Sequence, residues 1–540
     1  MATSTAVAAC GSSGGSKSSA PGGSPTTPAS QTSAGAPTKG GSLTFGLEAE
    51  SPGYVPGISS MLSYSGAAVE NAIYDPITRY APDGTAKPYL ASTVTPNATF
   101  TKWTVTLHPG VRFADGAAAT PQDIVEDYNQ YYAAPQSAAA ATFAEVKSVS
   151  ATATSAVFTL LADDAQFPVL LTTFFLFNPD LKQKYGANFS AHPDGTGPFQ
   201  LVSWQPNNQI ILKANPYYWQ KDASGRQLPY LSTLTLKIIT SGASRNATLQ
   251  SGGIDGYQSI EVPVLAQAQK FPDTTVLLGE TGGEGWFLNT AQAPTNDVRV
   301  REALAYATDR NAIMAAQGGG NLLSARTQYF SPHSPYYSAS AASQYPDLDP
   351  TKAKSILKEY VNDPKRSDGK PVGSPVSIQL SYLAGDPASG GAVQLAQQQW
   401  DAVGFKVTLA SFDEATLIGN ALKGETQAFW FAWGSNVPYA LFNHNYLPPK
   451  VDPTNWTKLD DPVVETQIAK LATCTTASCT DAATQTIDEQ FDKQLPVIFL
   501  MSSEEGWAIN TSKVGGAQLD PAAAVGLDPE LDFATLYAKG

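Results

Sequence analysis

The chain has 540 residues, 42% hydrophobic and 10% aromatic, a globular composition long enough for two or three cores, so one small module is excluded. Its formal net charge of -14 argues against nucleic acid as a partner, because an acidic field repels a phosphate backbone. Charged residues reach only 15%, against roughly 25% in ordinary soluble domains, so the surface relies on Ser, Thr, Asn, Gln and Ala.

Near the start, Val7-Ala8-Ala9-Cys10 resembles the processing box of bacterial lipoproteins, in which the cysteine becomes the lipidated first residue. Residues 11–41 are almost entirely Gly, Ser, Ala, Pro and Thr, with too little apolar surface to offset the entropy of ordering, and read as a tether. A secretory leader needs a basic segment and roughly 7 to 15 apolar residues before the cysteine, more than this stretch supplies. The expectation is therefore a signal remnant and tether over residues 1–41 with Cys10 lipidated; the alternative is an incidental cysteine in a low-complexity leader. The longest later apolar run, residues 169–177, is far short of the ~20 residues needed to span a bilayer.

Beyond the tether, residues 42–47 alternate as a strand and lead into a polar, aromatic loop containing Glu50 and Tyr54. Residues 102–107 predict another strand, turning at Pro109-Gly110 into a second strand through Val111 and Phe113. Thr120-Pro121-Gln122-Asp123 starts a helix with Ile124, Val125, Tyr128 and Tyr132 on its buried face. A glycine-rich turn at 195–199 precedes strands over 201–204 and 210–213; a further strand spans 234–239, and a polar segment ends at Asp255-Gly256-Tyr257.

Residues 296–317 carry Val300, Ala303, Leu304, Ala307 and Ile313 at helical spacing, and Gly318-Gly319-Gly320 stops them. Asp349-Pro350 caps a helix with Ala353, Ile356, Leu357 and Tyr360 on one face. Residues 391–403 form another, ended by Gly404 and followed by the strand Phe405, Val407, Leu409; Asp461-Pro462 opens a last one reaching Cys474. Alternating helices and strands define an α/β or mixed fold.

The sequence offers no phosphate loop, no H-E-x-x-H and no dinucleotide fingerprint in a suitable context. A G-x-S-x-G match at residues 11–15 lies in the tether, without the flanking strand and helix a nucleophile elbow requires. The histidines His108, His192, His333 and His444 lack metal-ligand spacing, so no metal or cofactor is expected. Asp163-Asp164, Glu504-Glu505 and Asp460-Asp461 read as solvated or capping carboxylates before they read as acid/base dyads. Cys474 and Cys479, in CTTASC, suit either a small disulfide-closed loop or a reduced pair in a surface turn.

Four dispersed stretches together resemble the extracellular solute-binding proteins of ATP-driven peptide and nickel importers, family 5. They are residues 103–132 with HPGVRFADG, residues 195–219 reading GTGPFQLVSWQPNNQIILKANPYYW, Leu288-Asn289 with residues 297–310, and residues 397–433. The resemblance implies a two-lobed periplasmic-binding-protein fold, class II-like, with a hinged cleft. It implies domain I over 42–73, 199–280 and 495–540, domain II over 74–198, and domain III over 281–494, with hinges near Gly282-Gly283 and Leu495-Pro496.

It further implies a non-catalytic, monomeric binder, held by its lipid on the outer face of a bacterial membrane, that passes a small-molecule or oligopeptide ligand to the permease subunits of an ABC importer. In peptide-binding members an aspartate shortly after a Trp pairs with the ligand amine; aligned on Trp433, that position here is Asn436. Tyr439, Phe442, Trp286, Tyr54 and Glu50 are expected at the ligand with Trp433 and Asn436, and Arg326 is a candidate for a ligand carboxylate. Such a pocket also suits an oligosaccharide or another amphipathic solute; a secreted hydrolase is the alternative of a different class.

Overall fold

Residues 42–47, read as an alternating strand, do form one, Ser42–Leu47, with Leu43, Phe45 and Leu47 buried. The computed structural model describes residues 37–51, 53–56, 64–81, 84–134, 140, 142–384, 387–435, 437–452, 454–519 and 530–539. The chain from Thr38 onward forms one compact unit; Cys10 and Asn436 lie outside the described residues.

Ser42–Leu47 belongs to a ten-stranded sheet. Its order is Phe199–Gln205, Gln209–Ala214, Thr233–Ile238, Ser42–Leu47, Gly256–Ser259, Val497–Asn510, Thr274–Leu288, Ala428–Gly434, Val376–Leu383 and Phe405–Phe412. Two central strands are long, 15 residues in Thr274–Leu288 and 14 in Val497–Asn510, and pair antiparallel from Thr274 opposite Asn510 to Phe287 opposite Val497.

Their outer partners sit at opposite ends. Gly256–Ser259 runs beside the last residues of Val497–Asn510, with Ser259 opposite Gly506, whereas Ala428–Gly434 runs beside the second half of Thr274–Leu288, with Gly434 opposite Gly282. The sheet is thus two half-sheets, and the backbone crosses between them on these two strands. The ladder slips between Glu280 and Gly282 and between Glu284 and Gly285, and Gly282 has φ 142°, a value open to glycine. Gly282-Gly283, where a hinge is expected, is therefore inside a strand, at its irregular midpoint.

A separate four-stranded antiparallel sheet, in the order Ala91–Pro96, Lys102–Leu107, Ala156–Leu160, Val146–Ala151, precedes the first crossing. The expected strand through Val111 and Phe113 is reduced to a single bridge between Arg112 and Ala118. At Thr120 the backbone N–H and the hydroxyl both donate to Asp123, at 2.6 and 2.8 Å, and the helix Pro121–Asp127 continues as a π-turn over Tyr128–Tyr132.

The helix expected over 296–317 is two, Val298–Ala307 and Arg310–Gln317. Thr308 is extended, its hydroxyl donates to Leu304 O at 2.8 Å and receives the Trp400 indole N–H at 3.0 Å, and Asp309 caps the second helix through Ala312 N. A tertiary contact thus stops a helix whose apolar spacing runs on. No helix among the described residues is long and apolar enough to cross a membrane.

The caps read from Asp349-Pro350 and Asp461-Pro462 open Pro350–Val361 and Pro462–Thr473. Asp461 accepts from Val463 N at 2.9 Å and Val464 N at 3.2 Å, and from Gln490 Nε2 on the next helix at 2.7 Å. Asp461→Ala removes cap and tie together and is expected to lower stability by about 1–2 kcal/mol, seen as a lower urea midpoint.

Candidate functional site

Strand direction locates the site. Ser42–Leu47 is parallel to Thr233–Ile238 and Gly256–Ser259, so their carboxyl ends share one edge. Ser259 stands opposite Gly506, so that edge points toward the middle of the crossing strands. Across the crossing, Val376–Leu383, Phe405–Phe412 and Ala428–Gly434 are mutually parallel, and Gly434 opposite Gly282 aims their carboxyl ends at the same midpoint. Ligands of open α/β sheets bind beyond the carboxyl ends of the strands. Here two such edges face each other, with Gly279 to Glu284 and Ser502 to Gly506 between them.

The first edge carries a buried ion cluster. Arg245 is fully buried, and its guanidinium donates to Glu48 at 3.2 Å, Glu261 at 2.6 Å, Ser259 Oγ at 3.0 Å and the carbonyls of Ile239 and Thr240 at 2.9 and 3.1 Å. Glu48 also accepts from Ile260 N and the Ser259 hydroxyl, both at 3.2 Å. Burial pushes the Glu48 carboxyl above its ordinary range, and Arg245 only partly offsets it. Ile260 remains exposed beside this cluster.

Glu50 and Tyr54 lie together a few residues on. Glu50 accepts from the Trp204 indole and Asn207 N, each at 2.5 Å, while Tyr54 is buried with its ring edge-on to Trp204 at 5.0 Å. Both therefore tie the first loop to the hairpin Phe199–Gln205 and Gln209–Ala214.

At the crossing, Arg326 N donates to Leu500 O at 3.2 Å and Ser502 N to Ser324 O at 2.8 Å, so residues 324–326 extend the sheet at the midpoint. Arg326 is only 3% exposed, and burial lowers its pKa against the pull of Glu504. Half-buried Glu504 is pushed up to about 7 by burial and by Glu284, against the Ser502 hydroxyl and Arg326. Arg326, a candidate for a ligand carboxylate, is buried here and only partly offsets the effect of burial on Glu504. The sequence did flag Glu504-Glu505 as an acidic pair, but strand alternation splits it, leaving Glu505 buried and Glu504 half-buried.

The aromatic expectations divide. Trp286 is fully buried between Trp400 and Trp430, with ring centroids 5.8 and 5.0 Å away. Phe442 is fully buried among Tyr329, Phe330, Tyr446 and Phe491. Both are core side chains and are not brought to the cleft. Tyr439 is 3% exposed and donates to Asp164 Oδ2 at 2.9 Å. Trp433 lies in register with Gly283, at the carboxyl end of its strand.

Burial holds the His444 imidazole below its ordinary pKa, and no cluster of three metal-ligating side chains occurs among the described residues. Cys474 and Cys479 are joined as a disulfide, with Cα atoms 5.4 Å apart.

Two half-sheets, joined by two crossing strands and turning their carboxyl ends toward each other, define a two-lobed solute-binding protein. The chain belongs to the bacterial extracellular solute-binding proteins, family 5, whose central region matches residues 85–456. It is 25% identical over 431 residues to the nickel-binding periplasmic protein of Escherichia coli K12, covering 74% of this chain and 78% of that one. It is 26% identical over 408 residues to the glutathione-binding protein GsiB of Salmonella typhi, covering 72% and 74%. Its fold matches the oligopeptide-binding protein AppA of Bacillus subtilis in complex with a nonapeptide, with TM-score 0.73 and 20% identity over 93% of this chain and 100% of that one. It also matches NikA of Brucella suis in complex with Fe(III)-EDTA, with TM-score 0.76 and 19% identity over 92% and 100%.

Proposed function

We propose that this protein is the substrate-binding subunit of an ABC importer and captures a peptide or similar small solute bearing an amino group between its two lobes. The observation that carries this reading is half-buried Glu504, raised by burial and by the charge of Glu284, on the crossing strand where both carboxyl edges converge. An amine placed there gains a charge-assisted contact strengthened by partial burial. Asn436, three residues after Trp433 at the facing edge, supplies a neutral acceptor, so Glu504 provides the charge that the family's aspartate provides in peptide-binding members.

The domain limits are those the resemblance implies, with residues 281–494 proposed as the lobe that closes on the rest. Lipidation at Cys10 would hold this monomer on the outer face of the membrane beside the permease subunits. The relatives support a peptide or small-solute ligand over an oligosaccharide, and support a binder over a hydrolase.

Thermal unfolding against peptides of two to nine residues, glutathione and Ni(II) with histidine tests the reading. A ligand at about 100 times its Kd adds about 2.7 kcal/mol of stability and raises the midpoint. A panel without any shift, accompanied by turnover of a peptide or ester, overturns it.

The pH dependence supplies a sharper prediction. Free Glu504 titrates at about 7, so its ionised fraction grows as pH rises through 7. The amine itself loses its charge near pH 8, so affinity for an N-terminal amine is expected to rise from pH 6, to peak between about pH 7 and pH 8, and to fall above it. Glu504→Gln should weaken binding by about tenfold at pH 8 and flatten the rising limb, as titration calorimetry would show.

A further inference from the structure

The backbone crosses between the lobes on two strands, yet a second connection exists in side chains and turns. Asp164 lies in the turn after Ala156–Leu160, before the first crossing; Tyr439 lies on the helix Pro438–Asn445, after it. The Tyr439 hydroxyl donates to Asp164 Oδ2 at 2.9 Å, and both residues are buried. Beside them Ala165 N donates to Ala472 O at 2.8 Å, and Gln166 Nε2 donates to Cys474 O at 2.5 Å, at the disulfide-closed turn.

Asp164 is positioned by its own lobe. Gln166 N donates to Asp164 Oδ1 at 2.6 Å, and the Trp103 indole donates to the Asp164 carbonyl at 3.0 Å. The Glu145 carboxyl, just ahead of the strand Val146–Ala151, is hydrogen-bonded to the Asp164 carboxyl. Two carboxyl groups make that bond only with a proton between them. Asp163 also bears on the pair, and Tyr439 faces it from the other lobe.

We propose that Glu145, Asp164 and Tyr439 form a proton-dependent latch that holds the two lobes of the solute-binding protein together in the closed state. With the shared proton in place, Glu145 donates to Asp164 and Asp164 accepts from Tyr439, so the bridge is continuous from one lobe to the other. Once the proton leaves, two carboxylates face each other in a desolvated site under the closing helix, and separation of the lobes lets water reach them.

Linkage gives the sign. Burial and the neighbouring Asp164 raise the Glu145 carboxyl well above its ordinary value in the latched state. Closure therefore takes up a proton wherever the open state has released it. The latch is strongest in acid and weakens as pH rises through the latched-state pKa, by up to about tenfold in the closed-to-open ratio per pH unit.

The inference rests on the two-lobed closing motion, and its test needs no solute, so failure to identify a ligand leaves it standing. Spin labels at exposed Lys102 and Lys470, replaced by cysteine in a Cys10→Ser background with the disulfide intact, report the distance between the latched elements. The expected result is a short-distance population that falls from about pH 5 to about pH 9 in the parent. Glu145→Gln, which carries a permanent donor, should keep that population at every pH; Tyr439→Phe should lower it at every pH. Thermal melts check that both variants remain folded. A distance distribution independent of pH in the parent, or Glu145→Gln following the parental profile, would overturn the latch.

Discussion

Arg245→Met is expected to lower folding stability by about 3–5 kcal/mol at pH 7.5, the magnitude for removing one partner of a buried ionic network. The methionine fills much of the same volume but leaves Glu48 without its cation and the Ile239 and Thr240 carbonyls without a donor. The loss should depend on pH. Glu48 already titrates above its ordinary 4.5 in the folded protein, and without Arg245 it rises further. A raised carboxyl pKa gives stability that is fully present below the unfolded value and is lost as pH climbs through the folded one. Urea titrations at about pH 5 and about pH 8 should therefore show the larger deficit at the higher pH. Equal deficits would mean that Arg245 acts through packing alone.

Trp286→Ala is the second large effect, about 3–5 kcal/mol. Its indole lies edge-on to Trp430 across the strand pair and edge-on to Trp400 on the helix Pro387–Val403, so truncation opens a cavity beneath a crossing strand. The same residue read as a ligand contact predicts the opposite signature, a loss of affinity with stability nearly unchanged. Unfolding midpoints beside titration calorimetry distinguish the two, and the structure predicts the stability loss.

The difference between those readings shows what a linear sequence reveals. Local chemistry was legible: Asp349-Pro350 and Asp461-Pro462 open helices, and the alternation of Ser42–Leu47 and Lys102–Leu107 gives strands. Gly256–Ser259 was not legible, because Gly, Tyr, Gln and Ser show no alternation and all four are buried in mid-sheet. Thr274–Leu288 was hidden by its glycines, whose strand state is imposed by Val497–Asn510, more than two hundred residues away. At Thr308 the break between two helices is joined by a bond from Trp400, almost a hundred residues away.

The site divides in the same way. The loop carrying Glu50 and Tyr54 was singled out from local sequence, and the segment around Trp433 from the family resemblance. Glu504 gains its meaning from Ser502, Arg326 and Glu284, and Asp164 from Tyr439, through contacts that only the fold assembles.

Solute capture is the central claim, and native mass spectrometry of the protein purified from its own organism tests it most directly. The account predicts a mass above that of the chain and any lipid, and release on denaturation of a stoichiometric small solute bearing an amino group. Protein that carries no solute and instead turns over a peptide or ester would contradict it.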